Sequence, residues 1–129
     1  MFIRNLITTI IRFLDGPLIS ALALLGARIA VGLVFGRSGN TKVDQDFMLT
    51  SSTLYLFEYE YALPLIPPHI AAYLAAYAEL ALPLLLWIGL GSRFASAGLL
   101  IMTLAIQFFV YPQSWPEHML WAGLLAVIL

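Results

Sequence analysis

Arg28 and Glu79 each sit near the middle of a long apolar stretch in this 129-residue chain. A charge at mid-bilayer costs about 2.5–3.5 kcal/mol on insertion scales, so a chain that keeps two of them must pair, hydrate or use them. At about 1.5 Å rise per residue, Arg28 lies about 15 Å into the first stretch from one side, and Glu79 about 14 Å into the second from the other. In antiparallel neighbours those depths coincide, which predicts that the two side chains share a level. Such a pair can act as a salt bridge fixing helix register. It can equally line a pocket in which Arg28 polarises a ligand oxygen and Glu79 exchanges the proton. Gln107 falls on one stripe with Ser96 and Thr103 and is expected to reach the same cavity. A quinone head suits these groups, because its carbonyl oxygens accept hydrogen bonds, although the spacing alone does not demand one.

A second set of residues clusters toward one membrane face: Glu58 and Glu60, His69, and Glu117 with His118. Two imidazoles and up to three carboxylates suit a divalent metal such as copper, zinc or iron. Glu58 and Glu60 share a side only if that stretch is extended. Glu117 alternatively favours a helix N-terminus. Haem held between His69 and His118 is disfavoured, because both sit where helices begin and not in a bundle core.

The elements that must position these groups follow from hydropathy. Composition is 62% hydrophobic and only 10% charged, with a mean hydropathy of +0.95, which marks an integral membrane protein. The expected fold is an all-α transmembrane four-helix bundle in a single domain, with spans at about 18–36, 70–90, 94–110 and 117–129. The last has about 18 Å of helix against a hydrocarbon core of about 30 Å. Ahead of the first span, Arg4, Asn5, Thr8, Arg12 and Asp15 form one stripe among apolar neighbours, the pattern of an amphipathic helix lying in the membrane surface. Ala21-Leu22-Ala23 resembles a signal cleavage site, but Arg12 and Asp15 interrupt the apolar core a signal peptide needs. Gly32 and Gly36 on the first span, with Ala72, Ala75 and Ala76 on the second, predict close helix approach. Pro83 removes the hydrogen-bond donor that the Glu79 carbonyl would use.

Between the first two spans lies a loop, from Ser38 to His69, rich in Tyr, Phe, Glu and Pro. Tyr55, Phe57, Tyr59 and Tyr61 read as an interfacial anchor, or as a lid over the bundle mouth. Arg4, Arg12 and Arg93 on one side, against Arg37 and Lys42 among acids on the other, predict a cytoplasmic N-terminus. A net charge of -1 offers nothing to neutralise a run of phosphates, so nucleic acid is excluded as a partner. The chain has no cysteine, so disulfide exchange, thiolate metal sites and iron–sulfur clusters within it are excluded as well.

The stretches RIAVGLVFGRSGNTKV (28–43), LFEYEYALPLIPP (56–68), YAELALPLLLWIGLGSR (77–93), IQFFVYP (106–112) and WPEHMLWAG (115–123) together resemble the DoxX family of small bacterial membrane proteins. The resemblance implies a four-helix bundle in the bacterial inner membrane, and sets Arg28, Glu79, Gln107 and His118 at the family's characteristic polar positions. It also implies an association with quinone-linked redox systems or stress responses. Gly36 and Arg37 stand where relatives often carry bulky residues, which implies a more open or more polar helix end here.

The expected function is an accessory membrane subunit that binds quinone, or supports a quinone-reactive partner, through Arg28, Glu79 and Gln107. The alternative is a non-catalytic scaffold that anchors a periplasmic partner in metal or oxidative stress handling. Transport of a metal or small solute is disfavoured, because no inverted repeat is visible. Expected partners are the lipid bilayer and other membrane or periplasmic subunits, with homo-oligomerisation left open.

Overall fold

The computed structural model describes residues 2–61 and 63–129; Met1, the first residue of the expected surface helix, and Ala62, within the resembling stretch 56–68, lie outside them. Helix α1 (Phe2–Leu14) buries none of its residues against the rest of the chain. Gly16, extended at the N-cap, and Pro17 at the first helical position then start α2 (Pro17–Lys42), since proline has no N–H to lose there and its φ is already helical. A short helix α3 (Ser51–Tyr59) precedes α4 (Pro68–Ile88). A turn through Gly89 and Gly91, both at positive φ, leads into α5 (Ser92–Ala105), which passes directly into a π-helical turn (Ile106–Val110). A 3₁₀ turn at Pro112–Ser114 then opens α6 (Trp115–Ile128).

Three stretches are long and apolar enough to cross a membrane: Pro17–Lys42, Pro68–Ile88 and Ser92–Val110. The distribution of side chains agrees with that reading. Leu18, Leu22, Leu25, Ile29 and Leu33 of α2 and Leu74, Leu84 and Ile88 of α4 face outward, while Glu79, Ser96, Thr103 and His118 are buried. Apolar outside and polar within is the arrangement expected when lipid is the solvent. The chain is a multi-pass membrane protein.

Two boundaries differ from expectation, and both matter for the site. Helix α2 does not end at Gly36 but continues to Lys42. Ser38, Gly39, Asn40 and Thr41 read as loop because they are weak helix formers, yet Thr41 Oγ1 donates to the Ser38 carbonyl at 2.7 Å and keeps the turn helical. Within the expected loop, Ser51–Tyr59 is α-helical. Thr50 caps it by accepting from the Thr53 N–H at 3.2 Å. Thr53 Oγ1 in turn donates to the Lys42 carbonyl at 3.1 Å, tying α3 to the end of α2. Asp44 Oδ1 orders the connection by accepting from the N–H groups of Asp46 and Met48, each at 2.9 Å.

The core is a seam of Val31, Phe35, Leu86, Leu99, Leu125 and Ile128, drawn from α2, α4, α5 and α6. One polar bond crosses it: Ser96 Oγ donates to the Leu125 carbonyl at 2.6 Å. Hydrogen bonds between membrane helices average about 0.6 kcal/mol. Ser96→Ala is therefore expected to lower stability by about 0.5–1.5 kcal/mol in detergent unfolding titrations. A loss above about 3 kcal/mol would mean that Ser96 does more than this bond.

Candidate functional site

Ser38 and Lys42 lie one helical turn apart, so their side chains share a face of α2. Lys42 Nζ donates to Ser38 Oγ at 2.9 Å and to Glu79 Oε2 at 2.6 Å. The lysine side chain is 16% exposed and the glutamate 4%. What lets the helices close around this pair is Gly39. A Cβ there would meet the Glu79 backbone carbon at 3.0 Å and the Glu79 Cβ at 3.1 Å. Glu79 itself is about 16 Å along α4 from Pro68, near the middle of that helix. A buried carboxylate needs both a counter-charge and hydrogen bonds, and Lys42 supplies both.

The expected Arg28–Glu79 level is corrected by the helix register. On α2, Gly32 faces Trp87, Gly36 faces Trp87 and Pro83, and Gly39 faces Glu79. Arg28 is consequently level with the far end of α4, its Nη1 being 3.3 Å from where a Gly89 Cβ would stand. Along α4 that is about 15 Å from Glu79. The cause is the extra turn and a half of α2, which slides the antiparallel pairing toward Lys42. At the α4 C-terminus the guanidinium meets the negative end of the helix dipole. Its Nε is buried and has no hydrogen-bond partner among the described residues.

The π-helical turn places Gln107. The Tyr111 N–H donates to the Ile106 carbonyl at 2.9 Å, five residues back, so the turn holds one residue more than α-helical geometry does. Gln107 Nε2 donates to the Pro112 carbonyl at 2.9 Å, and Oε1 lies 2.7 Å from His118 Nδ1. His118 is 4% exposed and its ring stands 5.0 Å from that of Trp121. Gln107 therefore meets His118, and not Arg28 or Glu79.

Both groups border one cavity of about 560 Å³ between α2, α4, α5 and α6. Lys42, Ser38 and Glu79 are on one wall and His118 and Glu117 on another, with Phe35, Met102, Ile106 and Trp121 supplying apolar surface. Tyr61 and Tyr111 also line it, their hydroxyls 2.8 Å apart. Arg28 is not among the lining residues, and Gln107 acts on the lining only through His118. The metal candidates divide. Glu58 and His69 border a separate pocket of about 260 Å³, Glu117 and His118 border the main cavity, and Glu60 is exposed at the end of α3. Glu58 and Glu60 do not share a strand face, because α3 is a helix. Among the described residues no three His, Asp or Glu side chains converge on a common point.

Lys42, Ser38 and the Tyr61–Tyr111 pair are the components that hydropathy reading missed. The signal for the first two was their four-residue spacing, which reads as one face once the helix is carried past Gly36. No sequence signal pairs Tyr61 with Tyr111.

Burial foremost, then the hydrogen bond to Tyr111, raises the Tyr61 phenol above its ordinary value of 10.0, with Tyr111, Glu60 and Glu79 adding charge repulsion. The folded state thus favours the neutral phenol. Its contribution to stability is complete below about pH 10 and is lost as pH rises through the elevated folded value. Wild type and Tyr61→Phe are expected to show the same phenolate absorbance at about pH 11 while folded. A phenolate deficit in Tyr61→Phe at that pH would show that Tyr61 ionises with the other tyrosines.

Comparison with curated proteins and with solved structures gave no match. The DoxX family model matches residues 23–112, a segment that contains the Lys42–Glu79 pair, Gln107 and both tyrosines of the cavity lining, and the chain belongs to the DoxX family.

Proposed function

We propose that this chain is an accessory subunit of a quinone-linked redox system in the bacterial inner membrane and holds the ring of a lipid-soluble quinone in the cavity between its helices. One observation carries the reading: a buried ion pair and a buried histidine border the same, otherwise largely apolar space. At about 560 Å³ that space falls within the usual range for small-ligand sites. The donor set fits a quinone, since Lys42 lines the cavity as an N–H donor and its longest contact, to the Ser38 carbonyl at 3.4 Å, is the one a ligand oxygen would displace. A bound quinone would supply reversible two-electron, two-proton chemistry. Lys42 orients a ring oxygen, Glu79 keeps Lys42 in place and can hold a proton, and Phe35 and Trp121 keep water from the ring face.

In this reading α2, α4, α5 and α6 form a transmembrane four-helix bundle and α1 lies in the cytoplasmic membrane surface. Arg4, Arg12 and Arg93 stand on the same side. The partner is a quinone-reactive membrane or periplasmic subunit. The exposed α3 residues Tyr55, Glu58 and Tyr59, with Glu60 just beyond, favour a second reading, in which the chain anchors a periplasmic protein without chemistry of its own. Retained partner capture in Glu58→Gln/Glu60→Gln would count against that reading.

Protein purified in mild detergent is expected to carry near-stoichiometric quinone. The content should fall at least several-fold in folded Glu79→Gln and stay unchanged in Arg28→Leu, which lies away from the cavity. Quinone at the lipid background in folded wild type would overturn the proposal.

A further inference from the structure

We infer that Gln107 is a positioning residue that fixes the tautomer of His118 and thereby selects a ligand carrying a hydroxyl, the reduced quinol or a related phenol, over the oxidised quinone. The ligand class rests on the quinone reading above; the tautomer does not.

The chain of reasoning begins at Pro112. Its carbonyl can only accept, so the Gln107 atom 2.9 Å away is the amide nitrogen. The other amide atom, facing His118 Nδ1 at 2.7 Å, is then the oxygen. An amide oxygen can only accept, so Nδ1 carries a proton and donates it. In the neutral ring the second nitrogen, Nε2, is left with a lone pair. His118 lines the cavity, and among the described residues Nε2 has no hydrogen-bond partner, nor is it a sealed buried atom. The atom offered to a ligand at this wall is therefore an acceptor.

A quinone carbonyl opposite that lone pair gains nothing and leaves two acceptors face to face. A quinol O–H donates to it directly. At the other wall Lys42 can only donate, and a carbonyl or a hydroxyl oxygen can accept from it equally, so that end does not discriminate. Discrimination is set at His118 and, through it, by the Gln107–Pro112 contact. A site built to hydrogen-bond a hydroxyl rejects the analogue that lacks it far more strongly than an apolar wall does.

The chain has two histidines, so ¹⁵N-histidine labelling of detergent-solubilised protein gives two sets of ring signals. His69→Asn identifies those of His118. The neutral ring is expected to be protonated at Nδ1 in wild type and to shift toward Nε2–H in Gln107→Leu. Duroquinol is expected to bind wild type at least about tenfold tighter than duroquinone, and Gln107→Leu to narrow that ratio. A neutral wild-type ring protonated at Nε2 would overturn the inference, whatever happens to Gln107→Leu. Equal binding of the two probes would overturn the ligand preference. If neither probe binds while Nδ1 is protonated, the quinone reading and the ligand class both fall and the assignment of Gln107 as positioning residue stands.

Discussion

Lys42→Met is expected to cost the folded protein about 3–5 kcal/mol, whereas Lys42→Met/Glu79→Met recovers most of that loss. The single substitution leaves a carboxylate that is 4% exposed with no counter-charge. Ser38 offers it a hydroxyl and nothing more. Removing both charges together relieves the desolvation cost on each side, and two methionines fill comparable space with flexible apolar chains. Arg37→Met is the control, since Arg37 lies on the same helix but is exposed, and its replacement should move stability by no more than about 0.5 kcal/mol. Reversible unfolding in mixed micelles, followed by tryptophan fluorescence, measures all three. Equal midpoints for Lys42→Met and Arg37→Met would mean that the pair does not hold the bundle together.

The second large effect belongs to the glycines of α2, and its test is a contrast. A Cβ on Gly32 would overlap the Trp87 indole nitrogen and lie 3.0 Å from Cε2 and 3.1 Å from Cδ1. Those three atoms belong to one rigid ring, so relief requires the whole indole to move. Gly32→Ala is expected to cost about 1–3 kcal/mol, the usual range for overpacking. On Gly36 the same addition meets Trp87 Cη2 at 3.5 Å and Pro83 Cβ at 3.9 Å, ordinary contacts. There alanine should be neutral or should stabilise by up to about 1 kcal/mol through its better helix propensity. Trp87→Leu in the Gly32→Ala background should restore most of the loss. If Gly32→Ala and Gly36→Ala behave alike, the α2–α4 contact is looser than the structure describes.

Of these two contacts, the close helix approach at Gly32 is legible in the sequence and the Lys42–Glu79 pair is not. The three long apolar helices were legible, because twenty-residue hydrophobic runs have few other uses. Glu79 was legible as a site residue for the same reason: a carboxylate in such a run stands out. Its partner was not. Ser38-Gly39-Asn40-Thr41 reads as the end of a helix, but the Thr41–Ser38 hydrogen bond and the contacts of Gly39 and Lys42 with Glu79 accompany a continued helix, so Lys42 and not Arg28 stands opposite Glu79. Local propensity lost to packing at that point. The aromatic segment shows the same effect, since it reads as part of a loop while the Thr50 cap and the tie from Thr53 to Lys42 accompany a helix at Ser51–Tyr59. Gln107, expected at the cavity of Arg28 and Glu79, instead bonds Pro112 and His118, because it lies in a π-helical turn, which has no hydropathy signature. Its bond to His118 was therefore out of reach of any periodicity argument.

Lys42 and Glu79 are separated by 37 positions in the chain, and the order of synthesis gives that separation a meaning. At 5–20 residues per second, Lys42 leaves the ribosome about 2–7 s before its partner. Throughout that interval α2 has an unpaired ammonium at its end, and the lysine stem is long enough to keep the charge at headgroup depth. Until Glu79 follows, Lys42 lacks the counter-charge that it has in the folded protein. Burial of that ammonium is thus tied to the arrival of α4, which makes the α2–α4 hairpin the smallest unit in which the pair is complete.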